Sequence, residues 1–445
     1  MENHIETLKS FQPISQKTPD EIPAVIQSTL DVLGSCSCLT DFTPESDKFQ
    51  EISNLVLEAF KILKGVCPKG KQFQQVLLES KELLALIQHI LEFAQSNENI
   101  LKLRLSTVQL LFNLSVGENT YKIFNKFRET FIEGLNPEIN CEGISEQEYA
   151  KYCNTNALML FNVINTPEYA EELLESGELL KILEFSVRHT LNEEELADNV
   201  QLLLNTFVTA LPETAMIYEK LPDNLRLQFL YYIHDTMREE EISQELLDKL
   251  ILRFKQTSDS ILKPDGTGVD TTKPKEVYSL LEIIAVASQS ENEMKETVAI
   301  DGSLFLNIGC LLMSIQKLGK NPSSIFAPAQ KLEQLAPNSS LPSTFETDIS
   351  YKFKTLLVQT MANLLYKNKK NQELVREMDI LLAILDCTNV DARNPLIKEY
   401  SIWAIRNACE NNPENQQIVA SLTKVGNVKS DVVSEISESV IRIQK

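Results

Sequence analysis

The stretch Asn394-Pro395-Leu396-Ile397-Lys398-Glu399-Tyr400-Ser401-Ile402-Trp403-Ala404-Ile405-Arg406-Asn407 decides how the rest of the chain reads. It has the form of a capped helix: asparagine, proline at the first helical position, then apolar residues at helical spacing. It carries the only tryptophan, Trp403, and closes on Arg406-Asn407. A weaker copy, Leu357-Val358-Gln359-Thr360-Met361-Ala362-Asn363-Leu364, lies 44 residues upstream. Each copy is followed eight residues later by an Asn-Gln pair, Asn371-Gln372 and Asn415-Gln416. A helical unit recurring at this spacing predicts stacked helical repeats, an architecture suited to binding more than to catalysis.

The series extends toward the amino terminus. Val108-Gln109-Leu110-Leu111-Phe112-Asn113, Ala157-Leu158-Met159-Leu160-Phe161-Asn162 and Val200-Gln201-Leu202-Leu203-Leu204-Asn205 each place one asparagine late in an apolar helix. Their separations are 49 and 43 residues, against 44 between Asn363 and Asn407. A second marker tracks the first: Pro167-Glu168, Pro212-Glu213 and Pro413-Glu414 follow Asn162, Asn205 and Asn407. Proline fits a first helical position because that N–H has no intrahelical partner, and glutamate in the first turn complements the helix dipole. Both markers match the period of HEAT and armadillo repeats. The predicted fold is all-α, an armadillo/HEAT-like right-handed α-solenoid.

Bulk composition agrees. Glycine is scarce, 13 in 445 residues, and aromatics make up 7%, while helix formers dominate. A hydrophobic content of 43% allows a large core. The net charge of −21 opposes nucleic acid and anionic lipid, so no nucleic-acid partner is expected, and basic protein surfaces are favoured. Acidity of this size also serves solubility alone. Eight cysteines do not form a disulfide framework, and the close pair Cys36 and Cys38 lacks zinc-knuckle spacing and a neighbouring histidine. The amino terminus has no signal-peptide pattern, and the apolar run Leu304 to Ile315 is too short to span a bilayer. A cytoplasmic, reduced protein without membrane insertion is the expectation.

The chain divides, on this reading, into helical repeats over 1–318, a linker or loop over 319–348, and final repeats with a cap helix over 349–445. A flexible loop is expected at 256–275, from its serines, glycines and prolines. Val432, Val433, Ile436, Val440 and Ile441 suggest the cap helix.

Residues 351–423 resemble the C-terminal domain of the ataxin-10 family. The resemblance rests on Asn363-Leu364, Tyr366-Lys367-Asn368-Lys369, Asn371-Gln372, Asn394-Pro395, Glu399, Ile402-Trp403-Ala404-Ile405-Arg406-Asn407 and Asn415-Gln416. Tyr400 stands where the family has tryptophan, and Ala408 where leucine is usual. The preceding 350 residues match as generic armadillo-like units. The resemblance implies a non-enzymatic, cytoplasmic scaffold linked to neuron survival, neurite outgrowth and cytokinesis, located perinuclearly, near centrosomes or at the ciliary base. It also implies a G-protein β subunit and O-GlcNAc transferase as partners, and self-association.

Two roles are open for the repeated asparagines. Asn113, Asn162, Asn205, Asn363 and Asn407 could line one groove and bond both C=O and N–H of an extended peptide. They could instead bond neighbouring backbone and hold the repeats in register. Leu396, Tyr400 and Trp403, spaced by three and four, read as a core stripe. Arg406 is expected to pair with Glu399 or Glu410, or with a partner's carboxylate. Asn394 is expected to cap the helix that Pro395 begins.

No phosphate-binding loop, zincin motif or nucleophile elbow is present, so no cofactor, metal or catalytic residue is expected. His4, His89, His189 and His234 are scattered. A cargo or nuclear-transport adaptor is the competing function. It would want a regular tryptophan-asparagine ladder and a basic arm, which one tryptophan and a non-basic amino terminus do not supply.

Overall fold

Helix starts are written into short polar side chains along the chain. Ser46, Ser80, Asn97, Asp301, Asn368 and Asn412 each accept a hydrogen bond from a backbone N–H three residues on. Each satisfies one of the donors that a helix start leaves without a partner. The structure is a computed structural model, and it describes residues 2–93, 97–115, 120–136, 146–192, 198–262, 272–290, 293–329, 350–389 and 391–421. Every regular element among the described residues is helical, so the chain is all-α, built from helical repeats.

The chain forms two compact units. One comprises Met1–Arg253 with Asp270–Ile283, the other Phe254–Val269 with Ile284–Lys445. In the first, the long helices Asp47–Val66, Glu98–Ser115, Glu146–Ile164 and Asp198–Thr209 pack in succession, each on the next. Their inward residues, among them Phe60, Leu63, Leu110, Leu111, Leu160 and Phe207, are fully buried. A buried carboxylate also ties this unit together. Glu276 Oε1 accepts from Arg226 Nε and Arg253 Nε, each at 2.9 Å. In the second unit, Gly302–Gly319, Phe353–Leu365 and Ile397–Cys409 pack in the same succession, with the short helices Lys369–Glu377 and Ile380–Asp386 filling between. Gly309 has a reason to be glycine: a Cβ there would lie 2.4 Å from Ile380 Cδ1.

Several expectations change. Both ends of the span read as a loop at 256–275 are helical: the helix Gln244–Thr257 runs into the 3-10 turn Ser258–Leu262, and the next helix starts at Thr272. Pro274 sits in that helix's first turn, where its missing N–H costs nothing. Residues 263–271 lie outside the described residues, as do 330–349 of the expected linker and the expected cap-helix positions from Val432 to Ile441. Pro167 and Pro413 open their helices, but Pro212 precedes a helix that starts at Thr214. The window Ile22–Leu39 is long and apolar enough to cross a membrane by composition. Ile22, Val25, Ile26, Val32, Leu33 and Leu39 within it are buried in the first unit.

Candidate interaction surfaces

The repeated asparagines occupy comparable places, and several join one repeat to the one before. Asn113 Nδ2 donates to Lys64 O at 3.3 Å, and Asn407 Nδ2 donates to Ala362 O at 2.8 Å. Asn363 Nδ2 donates to Ser288 Oγ at 3.0 Å. Asn205 Oδ1 accepts from the Tyr232 hydroxyl. The Asn162 side chain has no hydrogen-bond partner among the described residues.

A glutamine completes each of two of these joints. Gln372 Nε2 donates to Leu365 O at 3.4 Å and to Asn407 O at 2.9 Å. Gln74 does the same in the first unit, to Cys67 O at 3.2 Å and Asn113 O at 3.3 Å. Each glutamine thus satisfies a carbonyl left free at a helix end and pins it to the next repeat. The sequence shows Gln372 through its Asn-Gln pair. Gln74 has phenylalanine before it, so that signature is missing.

The C-terminal motif builds a different joint from the one its spacing suggests. Asn394 is buried, and its Oδ1 accepts from Lys354 N at 3.0 Å and Thr355 N at 3.3 Å. It therefore caps the helix Phe353–Leu365, some 40 residues earlier, and not the helix that follows it. That following helix starts at Ile397, after Leu396 in the left-handed region at φ 63°, so Pro395 is not its first residue. Asn394 Nδ2 also holds Asp391 Oδ2 at 2.9 Å, which pairs with buried Lys354 Nζ at 2.7 Å. Asp391 Oδ1 accepts from Ala329 N, fixing the 326–329 turn to the same knot. Beside it lies a cavity of about 260 Å³ in which Cys387 is buried, and burial pushes its thiol up to about 11.

Trp403 is not core. It is 51% exposed, with Ile402 at 54% and Leu396 at 60%, and its ring stacks on Tyr400 with centroids 6.5 Å apart. The buried residues of this helix are Ile397, Ser401, Ala404, Asn407 and Ala408, the opposite stripe. Arg406 is exposed and pairs with neither Glu399 nor Glu410; all three side chains lie on the solvent side.

Backbone geometry repeats along with the side chains. Non-glycine residues with positive φ include Lys352 and Leu396, and again Lys367 and Asn411, each pair 44 residues apart. Lys352 and Leu396 precede the helices bearing Asn363 and Asn407, and Lys367 and Asn411 follow them.

A family model described as "Spinocerebellar ataxia type 10 protein domain" matches residues 353–443, which contain every element of this knot except the 326–329 turn. The ataxin-10 of Bos taurus is 21% identical over 463 residues, covering 98% of this chain and 92% of its own. Residues 353–443 match this ataxin-10 domain, and the chain is similar to ataxin-10 along nearly all of its length. The ataxin-10 of Xenopus tropicalis is 28% identical over 199 residues, spanning 44% of this chain and 39% of that one. The ataxin-10 homolog of Dictyostelium discoideum is 41% identical over 88 residues, 20% of this chain and 14% of that one.

A second surface lies in the first unit. The helices bearing Lys64, Asn113, Asn162 and Asn205 line a polar hollow of about 320 Å³. Asn113 lines it, and so do Asn154 and Asn199, which the spacing of the repeats did not single out. Asn199 bonds across to Asn154 through its backbone N–H at 2.7 Å and its side-chain amide at 3.0 Å. Among the described residues no group of three or more His, Cys, Asp or Glu side chains is arranged to hold a metal ion.

Proposed function

We propose that the chain is a non-enzymatic protein-interaction scaffold of the ataxin-10 type, acting in neuron survival, neurite outgrowth and cytokinesis. Its proposed location is cytoplasmic, around the nucleus, the centrosome or the ciliary base. A G-protein β subunit and O-GlcNAc transferase are its candidate partners, and a second copy of the chain is the proposed occupant of the Trp403 helix face.

One observation carries the self-association. Val358, Met361, Ala362 and Leu365 form a face that is buried beneath the Trp403 helix. Forty-four residues on, that face consists of Ile402, Ile405, Arg406 and Cys409, and none of these is buried. An apolar stacking face that no described residue covers is a surface that favours another protein. Aromatic residues and arginine, here Trp403, Tyr400 and Arg406, are the types enriched where proteins meet.

Sedimentation velocity of the full chain tests this. The wild type is expected to self-associate, and the double variant Ile402→Glu, Trp403→Glu to sediment as a monomer with unchanged helicity. The reading fails if both proteins have the same mass, or if association appears only once residues 422–445 are removed.

A further inference from the structure

We propose that the polar hollow of the first unit is a binding site for an extended acidic segment of a partner protein, with Lys64 and Lys151 receiving its carboxylates.

Lys64 is the residue that points to an anion. Its ammonium has three donors, and two of them go to neutral acceptors, Gln109 Oε1 at 2.7 Å and Ser106 Oγ at 3.2 Å. No carboxylate of a described residue lies within ion-pair distance of it. Other partly buried cations of the same unit are matched. Arg128 pairs with Glu172 at 2.9 Å, Lys249 with Glu219 at 2.9 Å, and Arg226 with Glu276 at 2.9 Å. Burial, and then the charge of Lys61, lowers the pKa of Lys64, which is the mark of an ammonium short of compensating charge. A carboxylate arriving there would offset a cost that the free protein carries.

The lining adds a second cation and no acid. Lys151 stands exposed at the edge, and the remaining lining side chains are neutral, in a chain that has 63 acidic residues against 42 basic ones. Charge complementarity therefore favours an acidic occupant here, against the sign of the whole protein.

The shape of the lining favours an extended one. Its residues come from four successive long helices: Lys64, then Gln109 and Asn113, then Asn154, then Asn199. Phe112 and Leu158 supply apolar contacts between these polar groups. The amide nitrogen of Asn154 has no acceptor among the described residues, so it is available to a main-chain carbonyl. A nucleic acid would present a phosphate at every step and calls for a basic stripe, which two lysines on a chain of net charge −21 do not make.

Fluorescence anisotropy with the full chain tests the site, using a fluorescein-labelled alternating Ser-Glu peptide. The alternating Ser-Gln peptide and labelled oligothymidylate serve as comparisons. The Ser-Glu peptide is expected to bind, and binding to weaken at least about tenfold in the double variant Lys64→Met, Lys151→Met. Methionine keeps the apolar stem of each lysine and removes the charge. Should Lys64→Met unfold the chain, Lys151→Glu, at an exposed position, is still expected to weaken binding. Equal binding of Ser-Gln peptide, lysine-independent binding, binding of oligothymidylate in place of the peptide, or no binding of the Ser-Glu peptide would each overturn the proposal. The Trp403 face shares no residue with this site, so a failure of either leaves the other standing.

Discussion

The helices Phe353–Leu365 and Ile397–Cys409 are two copies of one element, and their surroundings differ on one face only. Positions 353, 357, 360 and 364 are buried, and so are 397, 401, 404 and 408. Positions 354, 355, 358 and 362 are buried in the first copy, whereas 398, 399, 402 and 406 are exposed in the second. The first copy receives the second on that face, and the second receives no described residue there. A repeat's sequence therefore carries two instructions of different weight. In both copies the face toward its own repeat is filled, while the face toward the next repeat is filled in the first copy and left open by the described residues in the second.

Substitution at matched positions breaks or confirms this. The largest difference is expected between Val358→Asp and Ile402→Asp. The first buries a charge where Val358 is fully buried and should cost about 4 kcal/mol or more, while the second should stay within about 0.5 kcal/mol. Urea unfolding at dilute protein measures both. Equal losses would mean that both faces are covered alike.

Next comes the lysine pair. Lys354→Ala leaves Asp391 buried with its ion pair gone and is expected to cost about 3 kcal/mol. Lys398→Ala, the same position one repeat later, should change stability by less than about 0.5 kcal/mol, because Lys398 is exposed. The trans cap follows: Asn394→Ala withdraws the acceptor from Lys354 N and Thr355 N and should cost about 1–2 kcal/mol. Hydrogen exchange should then quicken first at the start of the Asn363 helix, and quickening at Ile397 instead would contradict the cap. The smallest effect is a gain. Leu396 holds φ 63°, a region that costs a side-chain-bearing residue roughly 1 kcal/mol and that asparagine tolerates better. Leu396→Asn is expected to raise the melting temperature slightly, and Lys352→Asn, at φ 61°, to do the same.

The sequence carried the helices and their period well, because both depend on neighbours within a turn or two. Asn113 and Asn407 were visible as a series for the same reason. What they bond to was open, and the structure gives backbone carbonyls of the preceding repeat. Asn394 misled because a cap beside a helix start is credited to that helix, whereas its acceptor oxygen serves a start 40 residues earlier. Trp403 misled because apolar periodicity says which residues share a stripe and not whether that stripe meets protein. The hollow at Lys64 left no trace in the sequence: a lone lysine acquires meaning only when the absence of a nearby carboxylate can be seen.

The cap on the Asn363 helix also orders events in time. During synthesis the residues that begin this helix leave the ribosome well before Asn394 does, and they carry their N-terminal donors unmet until the loop bearing it arrives. The same wait applies to Lys354, whose counter-charge Asp391 comes with that loop. The last repeats cannot mature one helix at a time from the amino end. The helix Phe353–Leu365 holds an unfinished start open for its successor, so a nascent chain stalled between the two helices would present the very site that its missing residues are built to close.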